Sequence, residues 1–519
     1  MGAGIAFVVA RGGYAVEVVE PDSGARTRAQ ERWRKDGERA GDPSIGDRIT
    51  FLDDIPTQSD ATFAIEAVPE RFDLKRDVFL KFEAALPTNA ILATNTSSLS
   101  VGEFADVVEH PERLVGLHFF NPPAAMKLVE VIATDRTSDA VLDAAHDFVE
   151  RIGKTSVDAA DTPGFIVNRV ARPFYLQSMR ALDLGVAAAP ELDALARAAG
   201  FRMGPFELMD VIGMDVNYAT SVSVYERLGA ERLTPIEMQR RMVSEGRLGR
   251  KTGQGFYDYT KGEPERLDFR IEPMPADETN VDEIVCIVGF GGIADQLMEE
   301  LQEHFANVIP IHNDEMLDEL PVGATLVIDA GDGTSDRSKI AGALDSLLGP
   351  GTIIFVDAYA TDISATAKRM RHPERLVGYG ILGSLEGQHA VEIVDSETVS
   401  DDALALAQEL FEHLGKGVCL VENVPGLYLG RVVGSIVNEA VIAVQEGVAS
   451  SDDVDTAMRL GVNYPQGPIA WGREIGGRRL THILRQVAEA EGEAFAPNRA
   501  LWVLDVREEE GEAEADART

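Results

Sequence analysis

His118 ends the apolar run Leu114–Leu117 and precedes Phe119-Phe120-Asn121-Pro122-Pro123. Glu130 ends a second run, Met126–Val129, where a carboxylate is costly to bury unless it is paired. Upstream, Asn95-Thr96-Ser97-Ser98 follows the apolar stretch Ala90–Thr94, which puts small polar side chains at the carboxyl end of a strand, where open α/β sheets bind ligands. Asn168 lies one helical turn beyond Pro163-Gly164. A base, a group that tunes it and polar groups facing an oxygen are the protein's share of oxidising an alcohol; the rest is a nicotinamide held nearby. Singly, these residues read equally well as a satisfied core histidine, a strand-end serine and a helix-terminal asparagine. Their succession in one stretch of chain points to the chemistry.

Elements of a dinucleotide site surround them. Met1-Gly2-Ala3-Gly4-Ile5-Ala6 and Phe7–Arg11 read as the end of a glycine-rich turn and its helix, with Gly2 at the cofactor. Val16–Val19 is the next strand, and Glu20 at its end stands where an acid binds the adenosine ribose hydroxyls. An acid there disfavours a 2′-phosphate, so NAD is expected. The strand and first glycines of such a turn precede Met1 in this reading. Met1 is accordingly expected to be an internal methionine, with roughly ten upstream residues supplying what a sheet needs to avoid open inner edges.

The elements that position these residues occur twice. His110-Pro111-Glu112-Arg113-Leu114-Val115-Gly116 recurs as His372-Pro373-Glu374-Arg375-Leu376-Val377-Gly378, an offset of 262. At the same offset Val129-Glu130 matches Val391-Glu392, and Gly185-Val186-Ala187 matches Gly447-Val448-Ala449. Each copy of about 260 residues alternates β-branched runs with helical stretches, then turns helical after its Pro-Gly pair. The expected fold is therefore α/β, a Rossmann-type domain plus an all-α domain, with the pair duplicated. The expected segments are 1–161 (Rossmann, first strand missing), 162–260 (helical), 261–282 (linker), 283–422 (degenerate Rossmann-like), 423–506 (helical) and 507–519 (acidic tail).

Composition narrows the setting. The 87 acidic against 48 basic residues leave a net charge of −39, which repels itself in dilute buffer and is screened by salt. With arginine far outnumbering lysine, this suggests a halophilic cytoplasm and argues against nucleic-acid binding, which needs a basic surface. No run of about 18 apolar residues suggests a membrane span. Cys286 and Cys419 share no metal-ligand spacing, so no metal site is expected.

Asn95–Ser98, Gly116-Leu117-His118-Phe119-Phe120-Asn121-Pro122, Lys127–Ile132, Asp161–Arg169, Met203-Gly204-Pro205-Phe206-Glu207-Leu208 and Gly253–Tyr259 together resemble the 3-hydroxyacyl-CoA dehydrogenases in order and spacing. The resemblance implies NAD as cofactor and His118 as general base, with Glu130 orienting its ring. It implies that Ser97 and Asn168 hold the substrate's 3-oxygen, that Glu70 and Lys75 line the cofactor, and that Asn95 meets the nicotinamide side. A short-chain substrate such as 3-hydroxybutyryl-CoA in fatty-acid β-oxidation is expected. The two-repeat form is similar to enzymes of phenylacetate breakdown that act on 3-hydroxyadipyl-CoA, which is the alternative substrate. A non-catalytic acyl-CoA-binding scaffold and a different NAD-dependent alcohol dehydrogenase are the competing readings.

Arg26, Arg28, Arg32, Arg34, Lys35 and Arg39 cluster on one helical stretch, a basic seat suited to coenzyme A phosphates, with Arg26, Arg28 and Arg32 as the substrate-side candidates. An ordinary solvated helix face would look the same. In the second copy His118 becomes Gly380, Asn168 becomes Gly430, Ser97 falls near Tyr359, and only Glu130 persists, as Glu392. Gly289-Phe290-Gly291 keeps a glycine turn there, but His312 replaces Glu20, so neither catalysis nor NAD binding is expected of it. The second copy is instead expected to serve as an internal pseudo-dimer partner, or the chain to form a homodimer.

Overall fold

Short β-branched runs become strands, and the amphipathic stretches between them become helices. The computed structural model describes residues 1–271, 283–312, 314–331, 336–359 and 361–505; the tail assigned to 507–519 and linker residues 272–282 lie outside them. Packing divides the chain into two units, the first formed by residues 1–170, 226–228 and 443–463, the second by 171–225, 229–442 and 464 onward. No helix among the described residues is long and apolar enough to cross a membrane.

In the first unit, β1 (Val16–Val19) and β2 (Ile49–Leu52) form a two-stranded parallel sheet. A separate sheet has the order β3 (Phe63–Glu66), β4 (Ile91–Thr94), β5 (Leu114–Phe119), β6 (Leu128–Ala133) and β7 (Thr155–Ala160). All its pairings are parallel except β5 with β6. Strands β4 and β5 are buried throughout, as expected of strands covered by helices on both faces. Helices Gly2–Arg11 and Asp139–Arg151 close one side through Ile5, Val8, Ala145, Phe148 and Val149. Helix Ser23–Ala40 starts at Asp22, whose side chain accepts the Ala25 N–H, and stops at Gly41, at φ +76°. Its buried residues Ala29, Trp33 and Gly37 recur every fourth position and face the core, which leaves the arginines on the other side. The Trp33 indole N–H donates to the Ala3 carbonyl at 2.7 Å, anchoring this helix to the first one.

A helix from far along the chain completes the unit. Ser451–Val462 is capped by Ser450, whose hydroxyl accepts the Asp453 N–H at 3.1 Å, and it packs on β6, β7 and the short helix Val167–Val170.

The second unit holds a seven-stranded sheet. Its order is β9 (Asn307–Ile311), β8 (Ile284–Val288), β10 (Leu326–Asp329), β11 (Ile353–Asp357), β12 (Leu376–Gly380), β13 (Ala390–Val394) and β14 (Gly417–Val421). Again one pair, β12 with β13, is antiparallel. Here β8 joins β9 to β10 in one sheet, whereas no strand joins β1 to β3 in the first unit. Helices Arg172–Asp183, Ala189–Ala198, Pro205–Ile212, Pro468–Ile475 and Gly477–Glu491 belong to this unit. The duplicated α/β and helical pattern read from the sequence is borne out.

Candidate active site

The antiparallel pairing of β5 with β6 sets His118 directly opposite Glu130. Residues opposite each other on such a ladder share a face, so the ring and the carboxylate meet without any loop to place them. Nδ1 of His118 lies 2.6 Å from Oε2 of Glu130, and both residues are buried. The second carboxylate oxygen accepts the N–H groups of Ile166 at 3.0 Å and Val167 at 2.9 Å. The backbone turns to present them through Gly164 at φ +81° and Phe165 at φ +47°. Three donors thus converge on one buried carboxylate, the arrangement in which a buried charge is tolerated. With Nδ1–H directed at Glu130, the lone pair of the histidine sits on Nε2. The rings of Phe120 at 4.6 Å and Phe165 at 5.7 Å fix the imidazole plane.

Asn95 and Asn168 are linked to this pair through its backbone neighbours. Asn95, at the end of β4, accepts the Phe119 N–H at 2.8 Å, next to His118. Ser97, exposed two residues further, belongs to a loop organised by Glu70. One Glu70 oxygen accepts the N–H groups of Ser97 and Ser98, each at 2.9 Å, and the Thr96 hydroxyl at 2.6 Å. Burial opposes ionisation of Glu70, but the Lys75 charge and these donors outweigh it and hold the carboxyl at about 2, below its ordinary 4.5. Asn168 follows Val167 directly, so the turn bound by Glu130 also sets its place.

Two of the nominated basic residues are tied into polar contacts within the chain. Lys75 is buried, with Nζ 2.9 Å and 3.0 Å from the Glu66 oxygens and 3.1 Å from Glu70. A buried ammonium is tolerated where carboxylates pair with it, as Glu66 and Glu70 do here. Arg26 donates to the Glu20 carbonyl, to the Leu52 carbonyl at 3.1 Å and to Asp53 at 2.8 Å. Arg28 and Arg32 line a cleft of about 580 Å³ in which Arg11, Lys35 and Arg39 outnumber the acids Glu31 and Asp36, and which Pro122, Ala124 and Ala125, after the histidine strand, also border. Arg34 pairs with Glu38.

Sequence reasoning missed three residues. Glu66 ends an apolar run just as Glu130 does, a signal that could have found it. Lys154, lowered to about 8 by burial and then by Arg11, donates to the carbonyls of Pro123, at 2.7 Å, and Met126, tacking down the segment after His118. Phe165 carried no signal, because a positive φ in a phenylalanine follows from tertiary contact.

For a dinucleotide, the first copy offers Glu20 at the end of β1, with one carboxylate oxygen 3.0 Å from the Asp22 N–H. Gly2 opens helix Gly2–Arg11, whose first turn carries no acid and where the nearest obstacle to a Cβ, Ala67, is 3.7 Å away. Both features fit NAD.

The second copy keeps the carboxylate and fills the space around it. Glu392 accepts the N–H groups of Tyr428 at 2.7 Å and Leu429 at 3.1 Å, and the Tyr359 hydroxyl at 2.7 Å. A Cβ on Gly380 would come to 2.9 Å from the Tyr359 ring, and one on Gly430 to 2.8 Å. Tyr359 thus occupies the volume that His118 and Asn168 hold in the first copy. Arg479 closes the remainder, 2.9 Å from Asp357 and with its guanidinium 5.9 Å from the Tyr359 ring centre. His312, in place of Glu20, is exposed.

Residues 1–162 and 294–424 match the family model "3-hydroxyacyl-CoA dehydrogenase, NAD binding domain", and residues 164–259 and 426–516 match "3-hydroxyacyl-CoA dehydrogenase, C-terminal domain". The chain is 33% identical over 506 residues to a 3-hydroxyadipyl-CoA dehydrogenase of Escherichia coli (strain K12), covering 95% of this chain and 92% of that one. It is 40% identical over 203 residues to a 3-hydroxybutyryl-CoA dehydrogenase of Clostridioides difficile, covering 39% of this chain and 72% of that one. Among solved structures, a 3-hydroxybutyryl-CoA dehydrogenase from Escherichia coli K12 superposes with a TM-score of 0.76 at 32% identity, covering 100% of this chain and 97% of that one. The chain belongs to the 3-hydroxyacyl-CoA dehydrogenase family and carries both of its domains twice.

Proposed function

We propose that this chain oxidises the 3-hydroxyl of a short-chain (3S)-3-hydroxyacyl-CoA to the 3-oxo group, and that only its first copy does so. The observation that carries this reading is the His118–Glu130 pair at 2.6 Å, a histidine with one nitrogen committed to a buried carboxylate and the other left to act. Nε2 takes the hydroxyl proton, and Glu130 stabilises the imidazolium that results. Bound NAD supplies the hydride acceptor. Ser97 and Asn168 hold the 3-oxygen as it becomes a carbonyl, and Asn95 borders the nicotinamide side. Glu20 receives the adenosine ribose, and Gly2 leaves room for the pyrophosphate. Arg28 and Arg32 meet the phosphates of coenzyme A along the basic cleft.

The Escherichia coli relative that matches along 95% of this chain favours one alternative, 3-hydroxyadipyl-CoA as substrate. The experiment compares NAD reduction with 3-hydroxybutyryl-CoA and 3-hydroxyadipyl-CoA in molar KCl, for the wild type and His118→Ala. Turnover that disappears with His118 upholds the reading, and the ratio of kcat/KM values chooses the substrate. Absence of turnover on every 3-hydroxyacyl-CoA leaves an acyl-CoA-binding scaffold. The acidic composition supports a cytoplasmic, salt-rich setting, as the same assays in low and molar salt test.

A further inference from the structure

Helix Ser451–Val462 belongs by sequence to the second copy, yet it is built into the first unit, on β6, β7 and Val167–Val170. Its buried residues Val454, Ala457, Met458 and Gly461 recur at helical spacing. A Cβ on Gly461 would lie 2.7 Å from Cδ2 of Leu128, 3.0 Å from Cγ2 of Val167 and 3.7 Å from the Phe120 ring. Glycine weakens a helix, so what it offers here is the close approach itself. Each of the three neighbours belongs to the frame of the histidine. Leu128 begins the strand that carries Glu130, the Val167 N–H donates to Glu130 at 2.9 Å, and the Phe120 ring stands 4.6 Å from that of His118. The segment is held at two further points: the Ala160 N–H at the end of β7 donates to the Val448 carbonyl at 2.8 Å, and buried Arg169 pairs with Glu446 at 2.7 Å.

We propose that Gly461 is a positioning residue for the reaction of the first copy: the helix contributed by the second copy is the wall that sets Phe120, Leu128 and Val167, and through them the His118–Glu130 pair. The copy whose own site is filled by Tyr359 thereby takes part in its neighbour's chemistry. The proposal rests on the dehydrogenase reading above.

The test uses the full chain with Gly461→Val and Gly461→Ala. A displacement of about an ångström at reacting groups costs up to about 100-fold in rate. The valine variant is expected to lose about 10- to 100-fold in kcat while KM for NADH stays at the wild-type value, with alanine intermediate. Combining Gly461→Val with Leu128→Ala, which removes the side chain in the way, is expected to recover part of the loss. Independently of turnover, the ring-proton resonance of His118, assigned by its disappearance in His118→Gln, is expected to move in Gly461→Val. A folded valine variant with wild-type kcat and an unmoved His118 resonance overturns the proposal, as does a variant whose only change is a lower melting temperature. If the wild type turns over no 3-hydroxyacyl-CoA, the dehydrogenase reading fails, and the resonance still decides whether the wall positions the histidine.

Discussion

The Tyr359 hydroxyl lies 2.7 Å from the Glu392 carboxylate, the position that the His118 imidazole takes on Glu130 at 2.6 Å. Both carboxylates also accept two consecutive backbone N–H groups from the turn that follows each copy's Pro-Gly pair. The acceptor is a structural keystone in both copies; only its third donor differs. A phenol there satisfies the carboxylate and leaves no base, and burial pushes the Tyr359 hydroxyl well above its ordinary range. Tyr359→Phe removes that donor from a carboxylate that burial has already raised to about 7. The expected cost is about 1–3 kcal/mol of stability with kcat unchanged, read by denaturant unfolding and steady-state assay. A drop in kcat with intact stability would mean that the second site takes part in catalysis.

In the first copy the same substitution logic falls on Glu130→Gln. The amide keeps the shape but turns an NH₂ toward either His118 or the Ile166 and Val167 donors, and it cannot hold the imidazolium. We expect kcat to fall by about 10²- to 10⁴-fold with KM for NADH little changed, measured by acetoacetyl-CoA reduction. A loss under tenfold in a folded variant would remove Glu130 from the mechanism.

Glu70 gives a pH prediction. Its folded value of about 2 lies below the ordinary 4.5, so between the two the folded chain binds fewer protons than the unfolded one. Its contribution is therefore complete above about pH 4.5 and fades as the pH falls toward 2. The stability gap between the wild type and Glu70→Gln should be flat near neutrality and narrow below about pH 4.5 in unfolding curves taken at successive pH values. A gap as wide at about pH 3 as at neutrality would show that Glu70 is not the ionised anchor of the Thr96–Ser98 loop.

Much of the site was legible because it is local. His118 and Glu130 close apolar runs, and an antiparallel pair of strands needs only register to make them meet. The internal repeat likewise gave the loss of His118 at Gly380 by alignment alone. What alignment could not give is what fills a vacated volume: Tyr359 reaches Glu392 from a different strand end, and Arg479 arrives from a helix late in the chain. The family motif nominates Lys75 for the cofactor side, and its pairing with the two acids Glu66 and Glu70 is a matter of burial that the motif does not reveal. Arg26 shares the basic stretch with Arg28, but Asp53 at the end of β2 captures it, a partner that helical spacing does not reveal. The place of Ser451–Val462 beside β6 is a long-range contact and leaves no local pattern.

Charge sets the solvent. A net charge of −39 destabilises a compact chain by self-repulsion that salt screens. The melting temperature should rise from low-salt buffer to molar KCl, and far less in a variant with several exposed acids neutralised. A melting temperature that is flat with salt would separate the acidic composition from stability.

The basic cleft supplies the last prediction. Arg28 and Arg32 lie beside the segment that follows His118, where a phosphate-bearing tail would approach, while Arg26 is tied to Asp53. Both arginines have nearby carboxylates, Arg28 at 3.7 Å from Asp22 and Arg32 at 3.4 Å from Asp36, and both remain partly exposed. Removing the pair should therefore cost the phosphate contact and little of the fold. Arg28→Ala with Arg32→Ala is expected to raise KM for acetoacetyl-CoA by about tenfold, or ~1.4 kcal/mol, with kcat near the wild type. The penalty should vanish on an acyl-pantetheine substrate, which lacks the nucleotide phosphates, and Arg26→Ala should leave both substrates unaffected. An equal loss on both substrates would mean that the arginines act through the fold of helix Ser23–Ala40, and the seat of coenzyme A would have to be sought elsewhere.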